Sequence, residues 1–438
     1  MSASRQTTSG RILWTTVLLM LALVAALPVH ADKKKPAPAT DNVKPGDQRT
    51  TAYFDISKIV WPNPPAIARI KFVDLFTGEK VDPNLFSKKN EKPKQKWMDR
   101  LAGSTPTSDI QVKDLPFQLI RTYGVAVDSK GLIYAADQGV SAIFIFNPET
   151  KAVELIGNGK QAHFGAVSGL AIDDTDTLFV SDVGLHRVDV FAAGTHQLVT
   201  AFGGDILSTP ASIAIDTENR FLYVVDTQND VVDVFDADSY KLIRKIGTPG
   251  KKHTLTAPGT FALPMGVAVD SDGNVYVTDT FNNRVEIFDA DGNFISMFGK
   301  NGDGPADFER PKAIAVDCDG HIWVADSAQD RVKVYNQEGR LLIYFGSHGE
   351  YPGRFMGLNG LTIDKNNRVI TSEMFPGRVQ VFRYTTDAEF DAEKKRREGE
   401  GETKPPAAAA AQKQPSQPVS SAAKDPTAKE PTAKDPVK

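Results

Sequence analysis

A short apolar motif ending in aspartate recurs six times along the chain: GVAVD at Asp128, GLAID at Asp173, SIAID at Asp216, GVAVD at Asp270, AIAVD at Asp317 and GLTID at Asp364. The spacings are 45, 43, 54, 47 and 47 residues. One period is filled by GVAVDSDGNVYVTDTFNNRVEIFDADGNFISMFG, residues 266–299, in which strand-like runs at 266–270, 275–279, 284–289 and 294–298 are separated by Asp, Asn and Gly. The pairs Asp272-Gly273 and Asp291-Gly292 suit the positive φ of tight hairpins. A four-stranded meander of this kind leaves two apolar faces open, and repetition at a fixed period supplies a neighbour for each. The pattern predicts an all-β chain forming a six-bladed β-propeller, one blade per repeat.

Within the repeats, G-V-A-V-D, Y-V-x-D, R-V-x-x-F and a closing F-G followed by a Gly/Pro-rich connection (FGKNGDGPADFERP) recur in register. This set resembles the NHL repeat, over roughly residues 121–384. The layout, with its short Pro-rich N-terminal strand, also resembles a bacterial group of exported six-bladed propeller proteins to which no activity is attached. NHL propellers as a class include peptide-amidating lyases, RNA-binding regulators and sensor domains, so the resemblance implies a fold and leaves the function open.

Repeat six departs from the pattern: after Tyr384 the chain reads TTDAEFDAEKKRREGE and supplies no fourth strand. Upstream, 66–76 (AIARIKFVDLF) alternates as a strand does and belongs to no repeat. Residues 64–76 are therefore expected to fill the outer place of blade six and close the ring between the two ends of the propeller, covering a sheet edge.

The hydrophobic fraction of 41%, with strongly biased ends, confines the globular part to residues 118–385. Residues 1–31 carry Arg5 and Arg11 ahead of an apolar run at 12–27 and end in Pro28-Val29-His30-Ala31, which reads as a cleaved signal peptide. The run is shorter than the roughly 20 residues that span a bilayer. Removing this segment takes away two arginines and no acid, so the formal charge moves from −4 to −6, a poor balance for binding nucleic acid. Residues 32–63 read as a linker, and 77–117 as an insertion with a short helix around Trp97, Met98 and Leu101. Residues 386–438 read as a charged, then Ala/Pro/Lys-rich disordered tail. The single Cys318 has no partner for a disulfide and reads as incidental.

Chemistry is expected on the face formed by the second-to-third and fourth-to-first strand connections. Four of the seven histidines fall there, His163, His186, His253 and His348, and only His163 and His186 belong to adjoining connections. They are the candidate ligands of an alternative reading, a metal-dependent lyase or lactone hydrolase at the channel mouth. Resemblance to the amidating lyases would put metal-binding histidines just before the inner strands. Those positions hold Tyr123, Ser168, Ala211, Met265, Lys312 and Asn359, so neither that activity nor any cofactor is carried over.

Asp182/Arg187, Asp279/Arg284, Asp326/Arg331 and Glu373/Arg378 recur too regularly for a site and predict structural charge pairs across the hairpin. The longest connection, 247–264, has a basic tip in Lys251, Lys252 and His253, the candidate binding residues. These readings point to a periplasmic or secreted monomer that binds or scaffolds an envelope or extracellular protein, a peptide or a glycan. No nucleic acid is expected as a partner, and no membrane span after signal cleavage.

Overall fold

The alternation of apolar and polar residues in each repeat is realised as antiparallel sheets that run in chain order from the channel outwards. In the computed structural model the described residues are 56–78, 118–157, 162–248 and 253–402. The expected signal segment, the helix around Trp97, and Lys251 with Lys252 lie outside them. Five repeats give four-stranded sheets and the sixth a five-stranded one, so the molecule is a six-bladed β-propeller. Burial follows the strand order: in blade four Val275–Asp279 is wholly buried, while the outer strand Phe294–Phe298 is largely exposed.

The apolar clusters straddle neighbouring blades, as the repeat logic requires. Tyr134, Ile143 and Ile145 of blade one meet Leu170, Val180 and Phe191 of blade two, with Phe164 between them. Each hairpin between first and second strands is held by the aspartate that ends the motif. In blade four the N–H groups of Asp272 and Asn274 donate to Asp270 Oδ1 at 2.9 and 2.8 Å, with Gly273 at φ 80°.

Blade six has three strands of its own, Leu358–Ile363, Arg368–Glu373 and Arg378–Tyr384. Its fourth place is taken by β2 (Ile70–Phe76), antiparallel to the last of them, with β1 (Val60–Trp61) outside it. Ile70 lies opposite Tyr384 and Phe72 opposite Phe382, after which a bulge intervenes before Asp74 pairs with Val381. The bulge reverses the parity of the strand. Ile70 and Phe72 therefore face the core shared with blade five, whereas Phe76 faces the core shared with blade one. One strand thus seals both interfaces of blade six.

Two of the expected boundaries shift. The linker was expected to run to residue 63, but Ile59 and Trp61 already pack on the blade five/six core, with the Trp61 ring 5.2 Å from that of Phe345. The tail expected from residue 386 begins instead with a helix, α1 (Asp387–Glu402). Its start is a capping box: Glu389 N–H donates to Thr386 Oγ1 at 3.3 Å and Thr386 N–H to Glu389 Oε2 at 3.0 Å. Glu393 then pairs with Arg396 and Arg397 along the helix, both at 2.8 Å. No described helix is long and apolar enough to cross a membrane.

The bulge yields a differential test. Phe72→Ala, at a side chain 7% exposed, is expected to cost about 3–5 kcal/mol in urea unfolding. Val73→Ala, at a residue 46% exposed, should stay within about 0.5 kcal/mol. Equal losses would place the strand's faces differently.

Candidate functional site

The inner strands run side by side along the channel and begin at the face where the connections emerge. Tyr123, Ser168, Ala211, Met265, Lys312 and Asn359, one from each blade, consequently form a ring around its mouth and line a cavity of about 330 Å3. Below the ring the exposed wall is mainly polar, because Val125, Leu170, Ile213, Val267, Ile314 and Leu361 of the inner strands are buried in the cores between blades. Close strand approach sets the ring. A Cβ at Gly266 would lie 2.3 Å from the Lys312 carbonyl oxygen. Alternate blades also clamp the next ring residue through a hydroxyl: Ser181 Oγ donates to the Ala211 carbonyl at 2.5 Å, Thr278 Oγ1 to that of Lys312 at 2.9 Å, and Ser372 Oγ to that of Tyr123.

The ring is polar on one side only. Lys312 Nζ donates to Asn359 Oδ1 at 2.8 Å, and Asn359 Nδ2 donates to the Thr122 carbonyl at 3.1 Å. Tyr123 and Ser168 continue this arc, and Ala211 with Met265 complete the circle as an apolar one. Burial, and then the charge of Arg310, lower the Lys312 pKa. None of the lining residues is Asp, Glu, His or Cys.

The histidines expected on this face are dispersed. His163 is exposed, and His186 turns Nδ1 to the Ser208 carbonyl. His253 Nδ1 meets Asp230 Oδ1 at 2.7 Å and His348 Nδ1 meets Asp330 Oδ2 at 2.6 Å. The same aspartates accept N–H donors from Leu263 and Gly357 at 2.9 and 3.0 Å, so both histidines belong to a repeated anchor for connections. His163 and His186 share no group of three metal-ligating side chains among the described residues.

The recurrent acid has a broader role than the expected pairing. Arg284 Nε meets Asp279 Oδ2 at 2.9 Å and Arg378 meets Glu373 at 2.8 Å. The other two expected pairs are absent. Arg187 turns to Asp189 at 2.7 Å, because an acid two residues along the same strand competes for it. Asp326 is instead matched by buried Lys333 at 3.3 Å, while Arg331 lies over the Tyr344 ring. What recurs in every blade is acceptance of backbone N–H groups from the connection entering it. Gly165 and Ala166 donate to Asp182 at 2.7 and 2.8 Å, and Ser208 and Thr209 to Asp226, both at 2.8 Å. Ile120 and Arg121 donate to Asp137 in the same way, so blades one and three keep the clasp without an arginine at Ala142 or Val231.

Among the described residues, one trio has ligand atoms within 4.8 Å of one another: Asp317, Asp319 and His321. It lies on the blade-five hairpin, at the opposite end from the ring, beside the seam closed by β2. His321 Nδ1 is 3.1 Å from both Asp317 Oδ2 and the Tyr384 hydroxyl, and its Nε2 is 3.8 Å from Asp387 Oδ2 of α1. Asp319 accepts the Tyr384 hydroxyl at 3.2 Å and the Asp387 N–H at 3.0 Å. These groups already satisfy each other as a latch between hairpin, blade six and helix. Next to them, the exposed Cys318 thiol has its pKa raised, by burial and then by Asp319 and Asp317, which is the wrong direction for a nucleophile.

Family models match two parts of the chain: "6-bladed beta-propeller" over residues 267–336 and "SMP-30/Gluconolactonase/LRE-like region" over 195–301. NHL repeat-containing protein 2 of Gallus gallus is 26% identical over 171 residues, 38% of this chain and 21% of that one. The Caenorhabditis elegans protein named "Probable peptidyl-alpha-hydroxyglycine alpha-amidating lyase pgal-1" is 24% identical over 188 residues, 37% of this chain and 51% of that one. The chain thus spans between about a fifth and a half of these relatives' own length. A gluconolactonase structure from Xanthomonas campestris superposes with a TM-score of 0.46 at 17% identity, covering 61% of this chain and 86% of that one.

The latch has a pH signature. Hydrogen bonding to Asp317 outweighs burial and raises the His321 pKa above 6.5. A raised folded pKa means that its stabilisation is complete below that value and is lost as pH rises through the folded pKa. His321→Gln is expected to flatten the fall of the melting temperature with pH on the alkaline side of 6.5. An unchanged slope would remove His321 from the latch.

Proposed function

We propose, from the premise that the chain is an NHL-repeat six-bladed β-propeller protein, that it is a non-catalytic binding or scaffold protein presenting its connection face to a partner. The observation that carries this reading is the lining of the channel, which among the described residues holds one cation and no carboxylate, imidazole or thiol. Metal activation of water needs such groups converging on one point. The surrounding face instead offers spread contacts. Ile120, Phe281, Tyr351 and Phe375 are 53–67% exposed on its connections. Exposed aromatic side chains on loops of a rigid scaffold suit recognition of a protein, peptide or glycan surface.

The apolar run at 12–27 behind Arg5 and Arg11 supports a partner in the envelope or outside the cell. The basic residues Lys251 and Lys252 in the sequence of the longest connection would supply electrostatic steering. The SMP-30/gluconolactonase-like match over 195–301 is what favours the enzymatic alternative.

Two measurements on the purified mature protein separate the readings. Incubated with a gluconolactone or a peptidyl-α-hydroxyglycine, with and without added Ca2+, Mn2+ or Zn2+, it should give no turnover above buffer. Partner capture from envelope extract should survive chelation and the His163→Ala/His186→Ala double variant. It should weaken by about 1 kcal/mol per residue for Lys251→Ser and Lys252→Ser at low salt, and by less at high salt, which screens the lysines' contribution. Chelator-sensitive turnover, or capture lost in the histidine variant, would overturn the binder.

A further inference from the structure

A rim-binding role leaves the channel mouth unexplained. Lys312 is the one charged side chain among the residues lining it, and it is half-buried. Its ammonium group has three N–H donors, of which Asn359 Oδ1 takes one at 2.8 Å, while the amide nitrogen of Asn359 is committed to the Thr122 carbonyl. The other two donors are left for the channel. Lysines elsewhere in the sheets find a carboxylate: Lys333 meets Asp326 at 3.3 Å in the same blade, and Lys245 meets Asp233 at 2.6 Å in blade three. Among the described residues no carboxylate pairs with Lys312.

A second cation enlarges the imbalance. Arg310 lies two residues earlier, where the connection enters blade five, and is exposed. After burial, its charge is the cause that lowers the Lys312 pKa, so the two cations lie within electrostatic reach of each other. Among the described residues the Arg310 guanidinium has no hydrogen-bond or ion-pair partner, and Glu309, the acid beside it in the chain, pairs with neither cation. The backbone that carries them is pinned residue by residue. The Arg310 N–H donates to Asp326 Oδ1 at 3.0 Å, Thr280 Oγ1 donates to the Pro311 carbonyl at 2.7 Å, and Thr278 Oγ1 donates to that of Lys312 at 2.9 Å. Two like charges fixed close together without a counter-charge are costly, and an anion arriving from solution relieves that cost.

We infer that the channel mouth is a site for a small doubly charged oxoanion, a phosphate or sulfate group, taken by the Lys312 ammonium and the Arg310 guanidinium together. Two cations match two negative charges, and a guanidinium fork beside an ammonium offers donors to several oxygens of one tetrahedral group. The exposed lining of the channel is mainly polar, holds no acid to repel the anion, and encloses about 330 Å3, the small end of ligand pockets. The same chemistry is carried by the free inorganic anion and by a small phosphate ester. The inference rests on the reading of the connection face as a binding face and specifies a ligand class for its centre.

The test is calorimetric titration of the full mature chain with phosphate, sulfate, glycerol 3-phosphate and acetate, at constant ionic strength and without any protein partner. Phosphate and sulfate are expected to bind one to one, and acetate, with a single charge, at least about tenfold more weakly. Tighter binding of glycerol 3-phosphate than of phosphate would support the inference with an ester as the source, and the reverse order would support it with the free anion. Lys312→Gln should weaken phosphate by about tenfold or more and Arg310→Gln by about threefold, with melting curves confirming that both variants are folded. Lys300→Gln, at an exposed cation on the same connection, should leave the affinity unchanged. Absence of phosphate and sulfate binding by the wild type, equal affinity in folded Lys312→Gln, an equal loss in Lys300→Gln, or acetate binding as tightly as phosphate would overturn the inference. Partner capture is measured independently, so loss of the anion site with capture intact refutes only this inference, whereas loss of capture refutes the broader reading.

Discussion

The antiparallel pairing of Ile70–Phe76 with Arg378–Tyr384 is the contact on which the rest of the ring depends. Every blade hides its apolar faces against its two neighbours, so an opening anywhere exposes two of them, and only at this seam does no chain connection hold adjacent strands together. The bulge after Phe72 lets one seven-residue strand supply aromatic side chains to both interfaces of blade six. Around it, Trp61, Phe72, Phe345 and Phe382 stack edge to face or tilted at 5.0–5.9 Å. The latch of Asp317, Asp319, His321, Tyr384 and Asp387 then fixes α1 over the same seam.

A second constraint is the satisfaction of backbone donors where the chain turns back towards the channel. The buried acid ending each second strand accepts N–H groups from the incoming connection, which fixes the height at which the first strand begins. That height determines which residue reaches the channel mouth. The ring of Tyr123, Ser168, Ala211, Met265, Lys312 and Asn359 is thus a product of the clasp repeated six times. Its members differ in burial as well as in chemistry: Ser168, Ala211 and Asn359 are buried, and Ala211 packs into the core between blades three and four.

This division is what the proposed binding role rests on. Ten ionisable groups on the connection side hold loops: Asp230 and Asp330 with their histidines, and the six strand-end acids with backbone donors. Glu286, pushed up to about 7 by burial, belongs with them, since it accepts the Gly259 N–H at 2.8 Å. What remains accessible at the centre is one cation in a channel whose exposed lining is mainly polar, and at the periphery exposed aromatic residues.

The local sequence was sufficient for the number of blades, their turns and the role of 66–76, because two-residue alternation and Asp-Gly chemistry act within a few residues. It also contained the Thr386/Glu389 capping box, which a reading of 386–438 as uniformly charged and unstructured passed over. The partners of Arg187 and Arg331 were not legible, since two or more charged groups competed within reach and only their relative depth in the sheet decided between them. Nor was the His321 latch, whose members come from positions 317–321, 384 and 387. Lys312 and Asn359 stand 47 residues apart and meet because inner strands of adjacent blades lie side by side. Repetition along the chain specifies a blade, whereas ring closure in space decides which single residues of separate blades face one another across a channel.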